Sequence, residues 1–233
     1  MPTSPVAREE VSINGAWTAV VAHVPTLLLI WLVSIAIAVI TYIFSAITLG
    51  IFSSGLYEGL YDYDPGAGAI IAILMSQVSF LLPLNIVTQL LSVLFVAVPA
   101  LYYAFGDVVT PGATFGALFS RPMRYIGAGI LFSIASLIGT IFCIIPGIAV
   151  SLTYPFFVNK IFTTDMPIMD AFSSSFSALY KSEAGWSFVG IQILAYICVL
   201  LTTICTCGLG SLIAVPIGTF YIQHAAYNKG VVS

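Results

Sequence analysis

The sequence predicts an all-α bundle of about six membrane-spanning helices. Of its 233 residues, 60% are apolar and only 6% are charged, and the mean hydropathy is +1.11. Soluble domains carry roughly 25% charged residues, and several apolar runs here exceed the ~20 residues that cross a bilayer as a helix. These runs do not alternate between apolar and polar residues as the strands of a membrane barrel do.

The predicted organisation is a single integral membrane domain over residues 1–233, in which three amphipathic helices each precede a pair of spans. Amphipathic helices of this kind lie in the headgroup plane or cover a bundle. The predicted spans are residues 24–49, 82–105, 125–145, 147–162, 186–206 and 209–227. The predicted interfacial helices are residues 12–23, 110–121 and 167–181.

The first interfacial helix is predicted from an apolar stripe at helical spacing, formed by Ile13, Trp17, Val20 and Val24. The apolar run that follows, residues 24–49, is longer than a signal-peptide core of roughly 7 to 15 residues. It is therefore interpreted as a retained span.

An insertion separates the first two spans, at residues 50–81. Its stretch 67–80 is interpreted as an additional half-helix or a re-entrant segment. The second span, residues 82–105, follows it directly.

The second interfacial helix begins at Thr110-Pro111, and Phe115, Leu118 and Phe119 lie on one side of it. It precedes the spans 125–145 and 147–162. Proline suits the first turn of a helix, where its missing N–H has no intrahelical partner to lose.

The third interfacial helix has the clearest pattern. Asp165 is expected to cap it and Pro167 to occupy its first turn. Its apolar stripe has helical spacing and comprises Ile168, Phe172, Phe176 and Leu179. Its opposite face carries Asp170, Ser173, Ser174, Ser177 and Lys181.

A threefold internal repeat, each unit being an interfacial helix and two spans, is one interpretation of this order. Pro99 and Pro155 are 56 residues apart, as are Pro111 and Pro167, and Pro216 follows Pro155 by 61. A fixed period indicates duplication. The alternative is that proline is simply frequent in membrane helices.

The basic residues predict the orientation. The loop 50–68 contains Glu58, Asp62 and Asp64 but no Lys or Arg. Because Lys and Arg accumulate in cytoplasmic loops, both termini are expected in the cytoplasm. Six residues lie on that one side: Arg8, Arg121, Arg124, Lys160, Lys181 and Lys229.

Four stretches together resemble a known family: Leu101-Tyr-Tyr-Ala-Phe-Gly-Asp, Cys143-Ile-Ile-Pro-Gly-Ile, Asp170-Ala-Phe-Ser-Ser-Ser-Phe-Ser-Ala-Leu, and the closing Gly-Leu-Gly with Pro216. The chain is similar, over about residues 12–227, to a bacterial membrane-domain superfamily. That superfamily occurs in some glycerophosphoryl diester phosphodiesterases and as stand-alone polytopic proteins. The resemblance implies six spans and an accessory role in the bacterial cytoplasmic (inner) membrane, with an internal photosynthetic membrane as the alternative. The phosphodiesterase catalytic domain is absent from this sequence.

One polar face stands out in the second span, where Asn85, Thr88, Gln89 and Ser92 recur at spacings of three and four residues. Side chains so spaced share one face of a helix. Amides in lipid need partners, so this face is expected to point into the bundle. Two readings stay open: hydrogen bonding between helices, or a hydrated cavity or headgroup site.

Other candidate residues are weaker. His23 and His224 are interpreted as interfacial histidines near span ends, because no Cys or carboxylate cluster accompanies them as metal ligands would. Cys143, Cys205 and Cys207 are predicted to share the outer face, where Cys143 could bridge one of the other two; free thiols are the alternative.

These observations predict a non-catalytic integral membrane protein with an accessory, structural or lipid-contacting role. The alternative is a passive channel or carrier for a small neutral solute. The span cores contain no ionisable residue of the kind that proton-coupled transport and intramembrane hydrolysis use. No cofactor, metal or nucleic acid is expected, and the expected partners are membrane lipids, other membrane proteins or further copies of the chain.

Overall fold

The all-α prediction is confirmed. The computed structural model describes the backbone of residues 4–62, 67–142 and 144–232, and the side chains of these residues except 48, 49, 51–62 and 67–82. Within those ranges the chain forms helices and no strand. A 3-10 helix, Pro5–Arg8, precedes α1 (Ile13–Ala22), α2 (Val24–Asp62), α3 (Ala67–Phe105), α4 (Pro111–Ser120), α5 (Pro122–Phe142), α6 (Ile144–Leu152), α7 (Tyr154–Thr163), α8 (Ile168–Tyr180), α9 (Glu183–Cys205) and α10 (Ser211–Asn228).

Five segments of the described chain are long and apolar enough to cross a membrane, which is compatible with an integral membrane protein. They are Val24–Ile47, Pro83–Phe105, Pro122–Phe142, Ile144–Thr163 and Glu183–Cys205. The sixth predicted span corresponds to α10, which is not among them. Its second half carries Gln223, His224 and Asn228, and the first two are buried inside the protein.

The chain divides into two units. Residues 4–29 and 93–232 form one, called here the compact unit, and Ile30–Ser92 form the other. Within the second, α3 runs without interruption from Ala67, so the stretch 67–80 is the beginning of this helix and not a separate segment. With 39 residues each, α2 and α3 are about 58 Å long at 1.5 Å per residue.

Helices occur at the three segments predicted to be interfacial, as α1, α4 and α8, with ends within two residues of those predicted. Their place at the membrane interface stays a prediction. Two begin with side-chain caps: Ser12 Oγ accepts from the Gly15 N–H, and Thr110 Oγ1 from the Ala113 N–H. Such caps satisfy amides that have no intrahelical partner.

The cap predicted for α8 is wrong. Pro167 is the N-cap residue and gives no side-chain cap. Asp165 instead pairs with Arg121, which follows α4. In this pair both groups are ionised, whereas a cap would join the Asp165 carboxylate to an uncharged backbone N–H.

The face that α1 turns inward differs from its apolar stripe. Ala16, Ala19 and Val20 are buried, whereas Ile13 is 70% and Trp17 45% exposed. α1 packs on α10, and small residues allow two helices to approach closely. Val20 is therefore the one residue of the stripe that faces inward, and Ile13, Trp17 and Val24 face outward.

α5 and α6 pack closely where two glycines meet. A Cβ on Gly139 would lie 3.1 Å from Gly147 Cα, and one on Gly147 would lie 2.4 Å from Thr140 Oγ1. Gly129, in contrast, has open space around it. The contact between these two helices therefore depends on glycine near their connection.

Pro155 marks a break between α6 and α7, halfway along a span. The N–H groups of Phe156 and Phe157 both bond to the Thr153 carbonyl, at 3.1 and 3.0 Å. Proline has no N–H and disturbs the turn before it. The Leu152 carbonyl is left without a helical donor and takes one from α9 instead.

Candidate functional site: buried polar groups of the compact unit

The polar face predicted on the second span lies in Ile30–Ser92. Asn85, Gln89 and Ser92 are exposed and Thr88 is half-buried. The Thr88 hydroxyl donates to the Leu84 carbonyl (2.9 Å) and the Ser92 hydroxyl to the Gln89 carbonyl (2.8 Å). Both hydroxyls are thus satisfied within their own helix, as is common for Ser and Thr in membrane helices. The choice between a helix contact and a hydrated site stays open.

The candidate disulfide falls partly outside the described residues, because Cys143 is not among them. Cys205 and Cys207 are free and exposed, as is Cys198. Cys207 lies in the turn between α9 and α10 with a φ of 51°, in the left-handed region that favours glycine.

Both histidines, interpreted from the sequence as interfacial, are buried within the protein. His23 is 0% and His224 3% exposed. The ring nitrogens of each histidine contact backbone groups of the compact unit.

His23 joins the end of α1 to the loop that precedes α4. Its Nδ1 donates to the Ala19 carbonyl (2.7 Å), and its Nε2 accepts from the Val109 N–H (3.0 Å). Thr26 Oγ1 donates to the Val109 carbonyl (2.8 Å), so both backbone groups of Val109 are held. This arrangement requires a neutral ring with its proton on Nδ1. Burial lowers the pKa of His23, opposed by the hydrogen bond to Ala19.

His224 lies on α10 and stacks on Tyr103, with ring centroids 4.7 Å apart and planes at 12°. Its Nε2 is 3.1 Å from the Glu9 carbonyl oxygen, to which Asn228 also donates (3.2 Å). Its Nδ1 is buried without a partner among the described residues. These contacts fix the N-terminal segment against α10.

An amide and phenol network joins α7 to α10. Asn159 Nδ2 donates to Gln223 Oε1 (3.1 Å) and to the Tyr227 hydroxyl oxygen (3.0 Å). Gln223 Nε2 donates to the Pro155 carbonyl (2.9 Å). Asn159 and Gln223 are buried, and buried polar groups of this kind are costly unless bonded. The network therefore fixes the two helices against each other.

A second polar group surrounds the α6–α7 break. Gln192, on α9, is 0% exposed, and its Nε2 donates to the Leu152 carbonyl and to the Tyr196 hydroxyl, both at 3.0 Å. Its Oε1 is buried without a partner among the described residues. A buried acceptor left unpaired costs about 1–3 kcal/mol.

Sequence reasoning missed these amides, although the rule applied to Asn85 and Gln89 would have found them. Asn159, Gln192 and Gln223 are amides within predicted spans, which must find partners in lipid. Periodicity within one helix did not reveal them, since their partners lie 40 to 68 residues away.

Two basic residues bond to groups at helix ends. Arg124 donates from Nη2 to the Thr164 carbonyl (2.9 Å), which terminates α7. Lys229 Nζ is 3.4 Å from Ser187 Oγ at the start of α9. After α4, the hydrogen bond from Arg121 and its positive charge lower the pKa of the Asp165 carboxyl group. This pair is exposed, so solvent screens it.

The described residues contain no group of three or more His, Cys, Asp or Glu side chains able to hold a metal ion. The polar residues above bond mostly to amides, phenols and backbone carbonyls of other helices. Such an arrangement can fix helices and accept an uncharged hydrogen-bonding ligand.

Comparisons of the chain with models of protein families, with curated proteins and with solved structures found no match. The resemblance to the bacterial membrane-domain superfamily therefore stays a prediction.

Proposed function

We propose that the chain is a non-catalytic integral membrane protein that supports a membrane process through contacts with lipids or other membrane proteins. The observation that carries this proposal is how the compact unit uses its buried polar side chains. Asn159, Gln223 and His23 each bond to a different helix or loop. Their bonds hold elements together.

The histidine environments support the absence of catalysis. His23 has both ring nitrogens engaged with backbone groups, and the Nε2 of His224 faces a backbone carbonyl. A general base has to reach the proton of a substrate or nucleophile. These three ring nitrogens serve positioning instead, and the fourth, His224 Nδ1, is buried inside the protein.

The outer surface supports contact with lipid. α5 and α9 expose large apolar side chains along their length, and lipid tails are as apolar as these side chains. They include Ile130, Ile134, Leu137, Ile141, Leu194, Ile197, Leu201 and Ile204. On this proposal the protein lies in the bacterial inner membrane with both termini in the cytoplasm, as the positive-inside rule favours.

A passive carrier for a small neutral solute is the second candidate. The α6–α7 break favours it, since broken helices near the middle of the bilayer form the binding sites of many transporters. Here the break brings Gln192 to an irregular backbone segment.

Extraction in polymer nanodiscs, followed by mass spectrometry of the intact particles, tests the proposal. We expect phospholipids or a protein partner to be retained and unaltered over time. Proteoliposomes diluted into glycerol or urea should swell no faster than empty liposomes. Faster swelling would favour the carrier, and conversion of a retained lipid would contradict the non-catalytic role.

A further inference from the structure

Residues 4–10, called here the clasp, lie against α3 and α10. The clasp contains the 3-10 helix Pro5–Arg8, which packs on α10, and it buries Ser4 and Ala7, at 6% and 2% exposed. Ser4 Oγ donates to the Tyr103 carbonyl of α3, 2.6 Å away. The next element, α1, makes its own contact with α10. Release of the clasp therefore does not require α1 to leave α10.

His224 holds the clasp through one backbone carbonyl. Its Nε2 is 3.1 Å from the Glu9 carbonyl oxygen, and a carbonyl can only accept, so Nε2 carries the ring proton. Nδ1 is then a bare acceptor, buried without a partner among the described residues. The Tyr103 ring stacks on the imidazole at 4.7 Å. The closed clasp is therefore bound by the neutral form of His224.

A second proton on His224 has no favourable place while the clasp is closed. It would go to Nδ1, which is enclosed and has no acceptor, and a buried charge is costly unless it is paired. A histidine in contact with water accepts this proton near pH 6.5. The released form therefore binds the proton more tightly than the closed form, and a falling pH shifts the population toward release. The proton does not have to reach Nδ1 in the closed form.

Few charged groups surround His224. Glu9 lies nearest, and its side chain is exposed, so solvent screens its charge. On α3, Tyr103 is uncharged at neutral pH, and α1 has no titratable residue. The remaining charged residues and histidine on the clasp and on the elements around α10 are Arg8, Glu10, His23, Lys160, Glu183 and Lys229.

We propose that the clasp is a pH-dependent regulatory device, which stays on α3 and α10 while His224 is neutral and is released when His224 takes up a second proton. The ratio of released to closed molecules should rise about 10-fold between pH 7.5 and 5.5, because an exposed histidine gains its proton over that range. This inference goes beyond the proposed function and does not depend on it.

The test measures opening of the clasp by thiol labelling of the full chain in mild detergent. The four native cysteines are replaced by serine, and Ser4→Cys or the exposed Glu10→Cys is introduced. The protection factor is the labelling rate of Glu10→Cys divided by that of Ser4→Cys at the same pH, so that the ionisation of the thiol cancels. We expect it to fall about 10-fold from pH 7.5 to 5.5.

Ser175→Cys is the matched control, since Ser175 is also a buried serine but lies on α8. Its thiol becomes accessible only when the protein unfolds as a whole, so its protection factor should exceed that of Ser4→Cys at both pH values. Equal protection factors at the two sites would mean that global unfolding exposes both, and would overturn the inference.

Two substitutions assign the titrating group. His224→Gln keeps an amide donor for the Glu9 carbonyl but cannot bind a proton, so the protection of Ser4→Cys should become independent of pH. His23→Phe should preserve the 10-fold fall, because His224 is then the only histidine.

A fall that persists in His224→Gln, or one that disappears in His23→Phe, would contradict the inference. If His224→Gln does not fold, His23→Phe decides alone. Constant protection of Ser4→Cys from pH 7.5 to 5.5 with both histidines present would also overturn the inference, and the proposed function would stand.

Discussion

At the scale of single residues, His23 links two parts of the chain that are far apart in sequence. It accepts from the Val109 N–H, 86 residues away, while bonding to Ala19 in its own helix. Phenylalanine keeps a ring of similar shape beside Tyr102 and Phe220, with which His23 packs, but offers no acceptor.

The first prediction concerns this bond. His23→Phe should lower the free energy of unfolding by about 1–3 kcal/mol, because the buried Val109 N–H loses its partner. The measurement is the midpoint of unfolding by SDS in mild detergent. Thr18→Ala on the exposed side of α1, where the hydroxyl bonds only to the Asn14 carbonyl, is the control and should have little effect.

The second prediction is a pH dependence. Burial lowers the pKa of His23 in the folded protein, so the unfolded chain binds a proton at a higher pH than the folded one. Stability should therefore be constant above the unfolded pKa of about 6.5 and fall as the pH drops below it. His23→Phe should flatten this slope between pH 7.5 and 5.5. An unchanged slope in that variant would assign the effect to another group.

The buried amides Asn159 and Gln223 were not predicted as candidate residues from the sequence. Asn85 and Gln89 attracted attention because polar neighbours accompany them at helical spacing, while Asn159 and Gln223 lie near the ends of their predicted spans without such a repeat. The structure bonds the isolated pair to each other. Periodicity within one helix cannot reveal a partner on another.

At the scale of elements, α8 is held by aromatic contacts. Phe172 lies against Phe157 and Phe176, with ring centroids 5.6 and 5.0 Å apart. The deepest line of the helix is Ala171, Ser175 and Leu179, all 0% exposed. The phenylalanine stripe predicted from the sequence flanks that line and is half-buried.

The third prediction tests this packing. Phe172→Asp should reduce the yield of folded protein strongly, because it removes aromatic contacts and places a charge among apolar rings. Ser173→Asp, on the exposed side of the same helix, should be nearly neutral. Ser174 is a poorer control, since it is half-buried and its hydroxyl contacts Met166. Equal losses for Phe172→Asp and Ser173→Asp would contradict the packing of α8.

The fourth prediction concerns the α5–α6 contact. Gly147→Ala should destabilise the protein by about 1–3 kcal/mol, as overpacking does, because its Cβ would lie 3.1 Å from the backbone of Thr140. Gly129→Ala adds a Cβ in open space and should be neutral or slightly stabilising. The midpoints of SDS unfolding of the two variants decide this, and equal midpoints would exclude a close contact.

α1 shows how a helix can turn small residues toward a neighbouring helix while most of its apolar stripe faces outward. In water, large apolar side chains identify the buried face of a helix. In a bilayer both surroundings are apolar, and close packing favours small residues instead. Ala16 and Ala19 accordingly face α10, and Trp17 faces outward.

At the scale of the whole molecule, the fold class and the positions of α1, α4 and α8 along the chain follow from composition and periodicity, whereas the number of spans does not. α10 combines an apolar first half with a buried polar second half. Such a helix is satisfied by protein partners as well as by lipid. Sequence patterning alone therefore does not separate a sixth span from a helix packed within the protein.

The central claim is the proposed orientation: the chain spans the membrane, and the parts that carry its Lys and Arg residues lie in the cytoplasm. Labelling of single cysteines by an impermeant thiol reagent tests it most directly. The four native cysteines are replaced by serine, and Asp62→Cys or Ser173→Cys is introduced one at a time. Intact and permeabilised cells are then compared.

We expect Asp62→Cys to react in intact cells and Ser173→Cys to react only after permeabilisation. The reason is that the loop after α2 lacks Lys and Arg, whereas α8 lies between Lys160 and Lys181. Equal reaction of both variants in intact cells would contradict the account.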